Sequence, residues 1–148
     1  STYVHFAGGN PFGATQPSSV VLFSSGSLYK ITGSGVAPSF SGRSYSNIEF
    51  AGSGISNPTG SSAVFMDNLT VTSGTVNIGM TSNPGHTING SISVASGATL
   101  NFNPSSSGTF IFDGSSTATT ISNSGTLTFN NLQAILINNV FGVITAGL

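Results

Sequence analysis

Few residues in this sequence are suited to acid, base or nucleophilic chemistry. The carboxylates are Glu49, Asp67 and Asp113, and the histidines are His5 and His86. Cysteine is absent, which excludes a thiolate nucleophile, a thiolate metal site and a disulfide. A glycosidase needs two carboxylates roughly 5–10 Å apart, and a metal site needs three or four converging ligands. The sequence therefore offers few residues for a glycosidase site or for a metal site.

The local sequence around each carboxylate favours a structural role. Asp67 and Asp113 precede Asn and Gly, which is ordinary turn chemistry. Glu49 lies in the alternating segment NIEF and is expected on the outer face of a strand. Stacking of repeats could still bring two of these carboxylates together, so carbohydrate cleavage stays open as an alternative.

Histidine, serine and glycine occur in no motif that is typical of catalysis or of phosphate binding. The sequence contains no HxH or HExxH pair and no GxSxG elbow leading into a helix. The GSG segments at 33–35 and 52–54 are not followed by GK[ST], as a phosphate-binding loop would be. We therefore assign no catalytic, metal-binding or cofactor-binding residue and expect no cofactor.

Charge is unusually scarce. Charged residues make up 3% of the chain, against roughly 25% in an average domain. The basic residues are Lys30 and Arg43, too few to neutralise the phosphates of a nucleic acid. A surface built from Ser, Thr, Asn and Gly favours an extracellular or cell-surface location. The sequence contains no run of 18 apolar residues, so we expect no transmembrane segment. It begins without a signal peptide, which suggests a processed chain or an excerpt of a longer one.

Three repeats organise the middle of the chain, from Asn68 to Phe129. They read NLTVTSGTVNI, SISVASGATLNF and ATTISNSGTLTF. Each joins two alternating segments through Ser-Gly, and the glycines Gly74, Gly97 and Gly125 are 23 and 28 residues apart. Repeats of that length are typical of solenoids.

Apolar residues recur at every second position, which is the period of a strand rather than of a helix. If each repeat makes one circuit, the inward residues stack into a continuous core and the backbones pair about 4.8 Å apart. The sequence therefore predicts a single all-β domain over residues 1–148, a parallel β-helix of about six circuits of 22–28 residues and roughly 29 Å long. The residues expected to point inward are Ile48, Phe50, Leu69, Val71, Val76, Ile78, Ile88, Ile92, Val94, Leu100, Phe102, Ile121, Leu127 and Phe129.

The two ends of the chain read differently from its middle. Near the start, we expect a strand over 3–6, a loop whose Phe12 packs on the core, and two strands joined at Ser25-Gly26 within 20–32. The segment NLQAILINNVFGVITAGL is the most apolar part. It predicts two strands around Asn138-Asn139, buried more fully than the others, with a short helix over 132–138 as a less favoured alternative.

The succession YSNIEFAGSG, AVFMDNLTVTSGTVNI, TINGSISVASGATLNF and GTFIFDGSSTATTISNSGTLTFNNL resembles the β-helical repeats of large secreted surface proteins of Bacteroidetes and Ignavibacteria. The segment NPFGATQPSSVVLFSSGSLYKI resembles them too, so the likeness spans roughly residues 10–132. Autotransporter passengers and haemagglutinin-type adhesins are similar in pattern. The resemblance implies a right-handed parallel β-helix, export to the cell surface and a role in adhesion or matrix, with no catalytic residues to transfer.

Neither end carries the polar cap that terminal repeats normally have. An uncapped β-helix end exposes backbone groups that can template further strand pairing. We therefore expect a structural building block of a surface fibre, filament or adhesin, which associates with itself or with neighbouring repeats. The expected interface residues are Tyr3, Val4, Phe6, Ile135, Leu136, Ile137, Val140, Phe141, Val143 and Ile144.

A carbohydrate-binding or carbohydrate-cleaving β-helix is the first alternative, with surface glycans as partners. Tyr3, Tyr29 and Tyr45 would line its groove. The deciding observation is whether Glu49, Asp67 or Asp113 shares a groove with a tyrosine or with Arg43.

An ice-binding β-solenoid is the second alternative. The outward alternation Thr70/Thr72, Ser91/Ser93 and Thr126/Thr128 would have to form one hydroxyl array on a single flat face.

Overall fold

The structure is a computed structural model that describes residues 1–9, 11–12, 21–36, 38–40, 42–60, 63–80, 86–102, 108–130 and 132–147. These residues form strands, turns and irregular segments, and none of them is helical. The strands are β1 (Thr2–His5), β2 (Leu28–Ile31), β3 (Ser44–Phe50), β4 (Ile55–Ser56), β5 (Thr59–Gly60), β6 (Val64–Val71), β7 (Thr75–Met80), β8 (His86–Ile88), β9 (Ser91–Val94), β10 (Thr99–Phe102), β11 (Gly108–Phe112), β12 (Thr119–Asn123), β13 (Thr126–Phe129), β14 (Leu132–Ile137) and β15 (Val143–Ala146).

The strands stack as a parallel β-solenoid of about five turns, close to the six that the repeats predict. Each full circuit passes through three walls. Wall A consists of β8, β11 and β14 with the first residues of β3 and β6. Wall B consists of β1, β2, β9, β12 and β15 with the last residues of β3 and β6. Wall C consists of β4, β7, β10 and β13, and β5 pairs with the end of β7.

Strand pairing sets equivalent residues of successive circuits directly above one another. Because side chains alternate across a strand, each row lies wholly inside or wholly outside the coil. One outward row crosses wall B from the first strand to the last. Its members are Val4, Lys30, Glu49, Thr70, Ser93, Ser122 and Ala146.

The inward rows form one apolar core, as the alternation predicts. All the residues expected inward are buried, except that Leu127 and Phe129 are partly buried. Phe12 packs on this core as predicted, with its ring edge-on to Tyr29 and Phe23 at 5.0 and 5.1 Å between centroids. A second aromatic group surrounds Phe110 near the other end.

Two predictions about the elements were wrong. Residues 21–24 lie outside any strand, although the alternation predicted one before Ser25-Gly26. The last segment forms two strands as expected, and no helix, but it is not the most buried part. Ile135 and Ile137 occupy inward positions but are exposed, since no described strand lies beyond β14 to cover them.

The Ser-Gly corners differ in why they need glycine. Gly74 and Gly97 have φ of 74° and 77°, where side chains other than glycine are strained. A Cβ on Gly74 would lie 2.3 Å from the Gly52 carbonyl oxygen, whereas a Cβ on Gly97 would meet nothing within 4 Å. Gly125 lacks a positive φ, but a Cβ there would lie 2.3 Å from the Ala95 carbonyl oxygen.

These contacts predict unequal costs for the same substitution at two corners. Gly97→Ala should lower the free energy of unfolding by about 1–2 kcal/mol, the cost of the left-handed backbone alone. Gly74→Ala should cost more, because the added methyl also overlaps backbone of the preceding circuit. Urea unfolding of both variants measures the difference, and equal costs would contradict this account.

Candidate functional site

The corner between walls A and B carries a row of polar side chains. Met66, Ile88 and Phe112 stack in register, so the residues that follow them, Asp67, Asn89 and Asp113, succeed one another along the corner. These residues form part of an open cleft of about 640 Å³. Its described lining consists of Asp67, Asn68, Asn89, Gly90, Asp113, Ser115, Ser116 and Thr117.

The cleft brings together two of the three carboxylates. Asp67 and Asp113 are two circuits apart, or about 9–10 Å on the usual strand spacing, which is near the upper end of the separation in inverting glycosidases. Asp67 is already engaged within the protein. Its Oδ2 accepts a hydrogen bond from Ser46 Oγ at 2.9 Å and its Oδ1 accepts one from Asn89 Nδ2 at 3.5 Å.

The other groups proposed for a sugar groove lie elsewhere. Glu49 faces outward on wall B, where its Oε1 is 2.8 Å from Lys30 Nζ. Arg43 is buried, with its guanidinium 5.5 Å from the Phe12 ring centroid. Among the described lining residues of the cleft there is neither a tyrosine nor an arginine.

Tyr29 and Tyr45 are core residues, so they do not line the groove that the carbohydrate alternative requires. Their rings stack at 5.7 Å between centroids. Burial raises the pKa of both phenols, and the neighbouring Tyr45 and Tyr3 raise the pKa of Tyr29 further. Both hydroxyls therefore stay protonated at neutral pH. Tyr3 is half-exposed, but it packs edge-on against Phe12 at 5.0 Å.

The histidines serve the fold. His5 Nε2 lies 3.0 Å from the Ala7 carbonyl oxygen, to which it donates, so Nδ1 accepts from the Tyr29 hydroxyl at 2.6 Å. His86 begins β8 and is buried beside the rings of Phe102 and Phe110. The segment GMTSNPGH predicts a loop over residues 79–86, but His86 at its end already belongs to β8. In the described part of the chain, no three His, Asp or Glu side chains converge as a metal site requires.

Beside the cleft, Asn68 links three successive circuits. Its Nδ2 donates to Asn47 Oδ1 at 2.8 Å, and its Oδ1 accepts from both the backbone N–H and the hydroxyl of Ser91, at 2.9 and 2.8 Å. Amide ladders of this kind stabilise stacked strands. The hydrogen bonds of Asn68 therefore connect three circuits where wall A meets wall B.

Removal of the Asn68 side-chain amide should lower the stability of the chain measurably. Asn68→Ala leaves the partners on two circuits unpaired, and we expect the free energy of unfolding to fall by about 1–3 kcal/mol. The control is Asn130→Ala, where the amide is exposed and donates to Thr128 Oγ1 at 3.1 Å. That variant should stay within about 0.5 kcal/mol of the parent chain. Equal effects in urea unfolding would show that the ladder adds nothing.

The Thr/Ser rows expected on one face are divided. Thr70 stacks on Ser93 in wall B, whereas Ser91 stacks on Asn68 in a neighbouring row. Thr126 and Thr128 belong to wall C. A different array does occupy wall C. Its first row consists of Ile55, Thr75, Thr99 and Thr126, and its second row consists of Asn57, Asn77, Asn101 and Thr128. The alternation T-x-N in TVNI and TLNF is the signal that could have revealed it.

The proposed interface residues divide by the direction they face. Ile135 and Ile137 continue the inward row of Phe110 and Phe112. They are 47% and 60% exposed, whereas Phe110 and Phe112 are 0% and 3% exposed. Among the described strands, the last circuit thus leaves inward apolar side chains uncovered. Of the other candidates, Val143 is half-buried, and Val4, Phe6, Leu136, Val140, Phe141 and Ile144 are exposed.

No helix in the described segments is long and apolar enough to cross a membrane. No protein family matches this chain, and no curated protein or solved structure matches it either.

Proposed function

We propose that the chain is a structural building block of an extracellular fibre, filament or adhesin, which assembles by end-to-end stacking of its strands. The observation that carries the proposal is the uncovered last circuit. Ile135 and Ile137 stand in inward positions yet remain about half-exposed. Full burial of an exposed isoleucine stabilises by about 1.5–3 kcal/mol, so covering the exposed half of each side chain would contribute about half of that. A further layer of strands over this end would therefore be favourable.

The backbone at the two ends supports the same arrangement. In the described sheet, β15 pairs only with β12, and β1 pairs only with β2. Both edges belong to wall B, at opposite ends of the solenoid. A second copy in the same orientation would therefore set its β1 parallel to β15, by strand addition. Tyr3, Val4 and Phe6 are exposed beside that edge.

Charge does not oppose the contact. The net charge of the chain is −1, and its five charged residues are Lys30, Arg43, Glu49, Asp67 and Asp113. None lies in β1, β14 or β15. A nearly neutral surface gives little protection against association. The Ser-, Thr- and Asn-rich surface also supports an extracellular location for the assembly.

Sedimentation velocity of the purified chain across a wide concentration range tests the proposal. We expect species larger than the 14.8 kDa monomer, with a distribution that shifts upward with concentration. A monomer that persists at the highest soluble concentration would contradict end-to-end stacking.

A carbohydrate-binding or carbohydrate-cleaving module is the second candidate, because Asp67 and Asp113 share one cleft. Carboxylates, amides and hydroxyls together can hydrogen-bond the hydroxyl groups of a sugar, and the negative lining favours neutral glycans over acidic ones. Titration calorimetry with neutral oligosaccharides tests it. Binding that is lost in Asp113→Asn would support this candidate, and the absence of heat with the parent chain would remove it.

A further inference from the structure

Wall C presents a regular two-rank array to solvent. Strands β4, β7, β10 and β13 pair in register, so that Thr75, Thr99 and Thr126 form one outward rank, which the exposed Ile55 heads. The residues of the second rank lie two positions after those of the first rank on the same strands, and Asn57 is its first member. It consists of Asn57, Asn77, Asn101 and Thr128. Between the ranks, Val76, Leu100 and Leu127 point inward and anchor the wall to the core.

Hydrogen bonds along the second rank hold its side chains in place. Asn77 Nδ2 donates to Asn57 Oδ1 at 2.9 Å, and Asn101 Nδ2 donates to Asn77 Oδ1 at 2.7 Å. Thr128 Oγ1 continues the ladder by donating to Asn101 Oδ1. In the first rank, the β-branched threonines are stiff at χ1. Both ranks are therefore ordered before any ligand arrives.

The array is periodic in two directions, along the strands and from one circuit to the next. Successive circuits are about 4.8 Å apart, and the two ranks are about 6.6–6.8 Å apart along each strand. Both spacings are comparable to the distances between equivalent oxygen atoms on the surface of an ice crystal. The strands of wall C contain no charged residue, and their only aromatic residues, Phe102 and Phe129, lie in inward positions.

The lack of charged residues and of outward aromatic residues on the described strands of wall C favours ice over crystalline polysaccharides as its ligand. Crystalline polysaccharides are bound by stacking of sugar rings on exposed aromatic side chains, and the described face of wall C offers none. Ordered water requires a fixed grid of hydroxyl, amide and methyl groups without charges that would impose their own hydration. Wall C has this grid.

We propose that wall C binds the surface of ice through the Thr75–Thr99–Thr126 rank and the Asn ladder beside it. The site does not depend on end-to-end stacking, since wall C runs along the side of the solenoid. In a stacked assembly its ranks would continue from one copy to the next, so the two activities are compatible.

Thermal hysteresis and inhibition of ice recrystallisation test the proposal. The parent chain should hold a seeded ice crystal without growth below the melting point, and Thr99→Lys in the centre of the array should lose most of that effect. Thr70→Lys is the matched control, because Thr70 is an equally half-buried, outward threonine on wall B. This control should retain the hysteresis of the parent, and circular dichroism should show that both variants keep the β-solenoid.

Three results would overturn the proposal. The first is a parent chain with no more effect on ice than an equal mass of albumin. The second is an equal loss of hysteresis in Thr99→Lys and Thr70→Lys. The third is sedimentation of the chain with crystalline chitin or cellulose, reduced by Thr99→Lys, without any hysteresis. None of these results bears on end-to-end stacking, which sedimentation velocity tests separately.

Discussion

Substitution of Ile137 by Asp should abolish self-association while the β-solenoid itself stays folded. Ile137 is 60% exposed in a single copy, so the carboxylate would remain hydrated there and cost the monomer little. In a stacked assembly the same position faces the bore and would be covered, which would bury an unpaired charge. That penalty is about 3–5 kcal/mol, enough to weaken association by at least about two orders of magnitude. Sedimentation velocity at matched concentrations measures the shift.

Ile55→Asp is the matched control for this prediction. Ile55 is the same residue type and is 57% exposed, but it lies in β4 on the side of the solenoid. This control should associate like the parent chain, and urea unfolding should give similar free energies for both variants. If Ile137→Asp associates as strongly as Ile55→Asp, the uncovered last circuit is not the interface.

Phe110→Ala should be the most destabilising single truncation near the centre of the second aromatic group. The Phe110 side chain is fully buried, and its ring centroid lies 4.5 Å from that of Phe102, 5.0 Å from Phe112 and 5.4 Å from Phe129. Loss of the ring removes contacts with these three rings and with His86, and it leaves a cavity between circuits. We expect the free energy of unfolding to fall by about 3–5 kcal/mol, measured by urea unfolding.

Phe65→Ala provides the comparison. Phe65 lies in the same wall as Phe110 but points outward and is 46% exposed. Its truncation should cost much less, because little buried surface is lost and no internal cavity forms. Similar losses for the two variants would mean that the aromatic group is not the stabilising core described above.

The coil and its inward residues were predictable from the sequence because they depend on local alternation. Leu69, Val71, Ile92 and Val94 alternate with polar residues, and the Ser-Gly corners mark where each circuit bends. These signals are repeated, so each confirms the others. The β-solenoid followed from that consistency.

The sites were less predictable, because they depend on which residues of different circuits meet. Asp67 and Asp113 share a cleft because Met66, Ile88 and Phe112 stack in register and place the residues that follow them along one corner. The Thr/Ser rows failed for the same reason. Thr70 meets Ser93, Ser91 lies beside Asn68 two residues earlier, and Thr126 and Thr128 belong to another wall. Alternation shows which residues point outward, but it does not show which outward residues of different circuits share a row.

Hydrophobicity alone also misled the interpretation of the last segment. The run AILI predicts burial, but a solenoid circuit is buried only when another circuit covers it. Ile135 and Ile137 therefore point toward the core side of the sheet but remain exposed to solvent. The same sequence pattern is compatible with a covered core strand and with an uncovered strand, and only the position of β14 at the end of the described stack distinguishes them.

A mixed-disulfide experiment tests end-to-end stacking most directly. Val4 and Ala146 occupy the same outward row of wall B at its two ends, so in-register stacking would bring Ala146 of one copy beside Val4 of the next, about 4.8 Å away. That separation lies within the Cα range of a disulfide, about 4.4–6.8 Å, and the chain has no native cysteine to interfere. Val4→Cys and Ala146→Cys chains mixed under mild oxidation should form a mixed disulfide, while each alone should stay largely uncrosslinked. A mixture without a mixed disulfide, or variants that each crosslink only to themselves, would contradict end-to-end stacking.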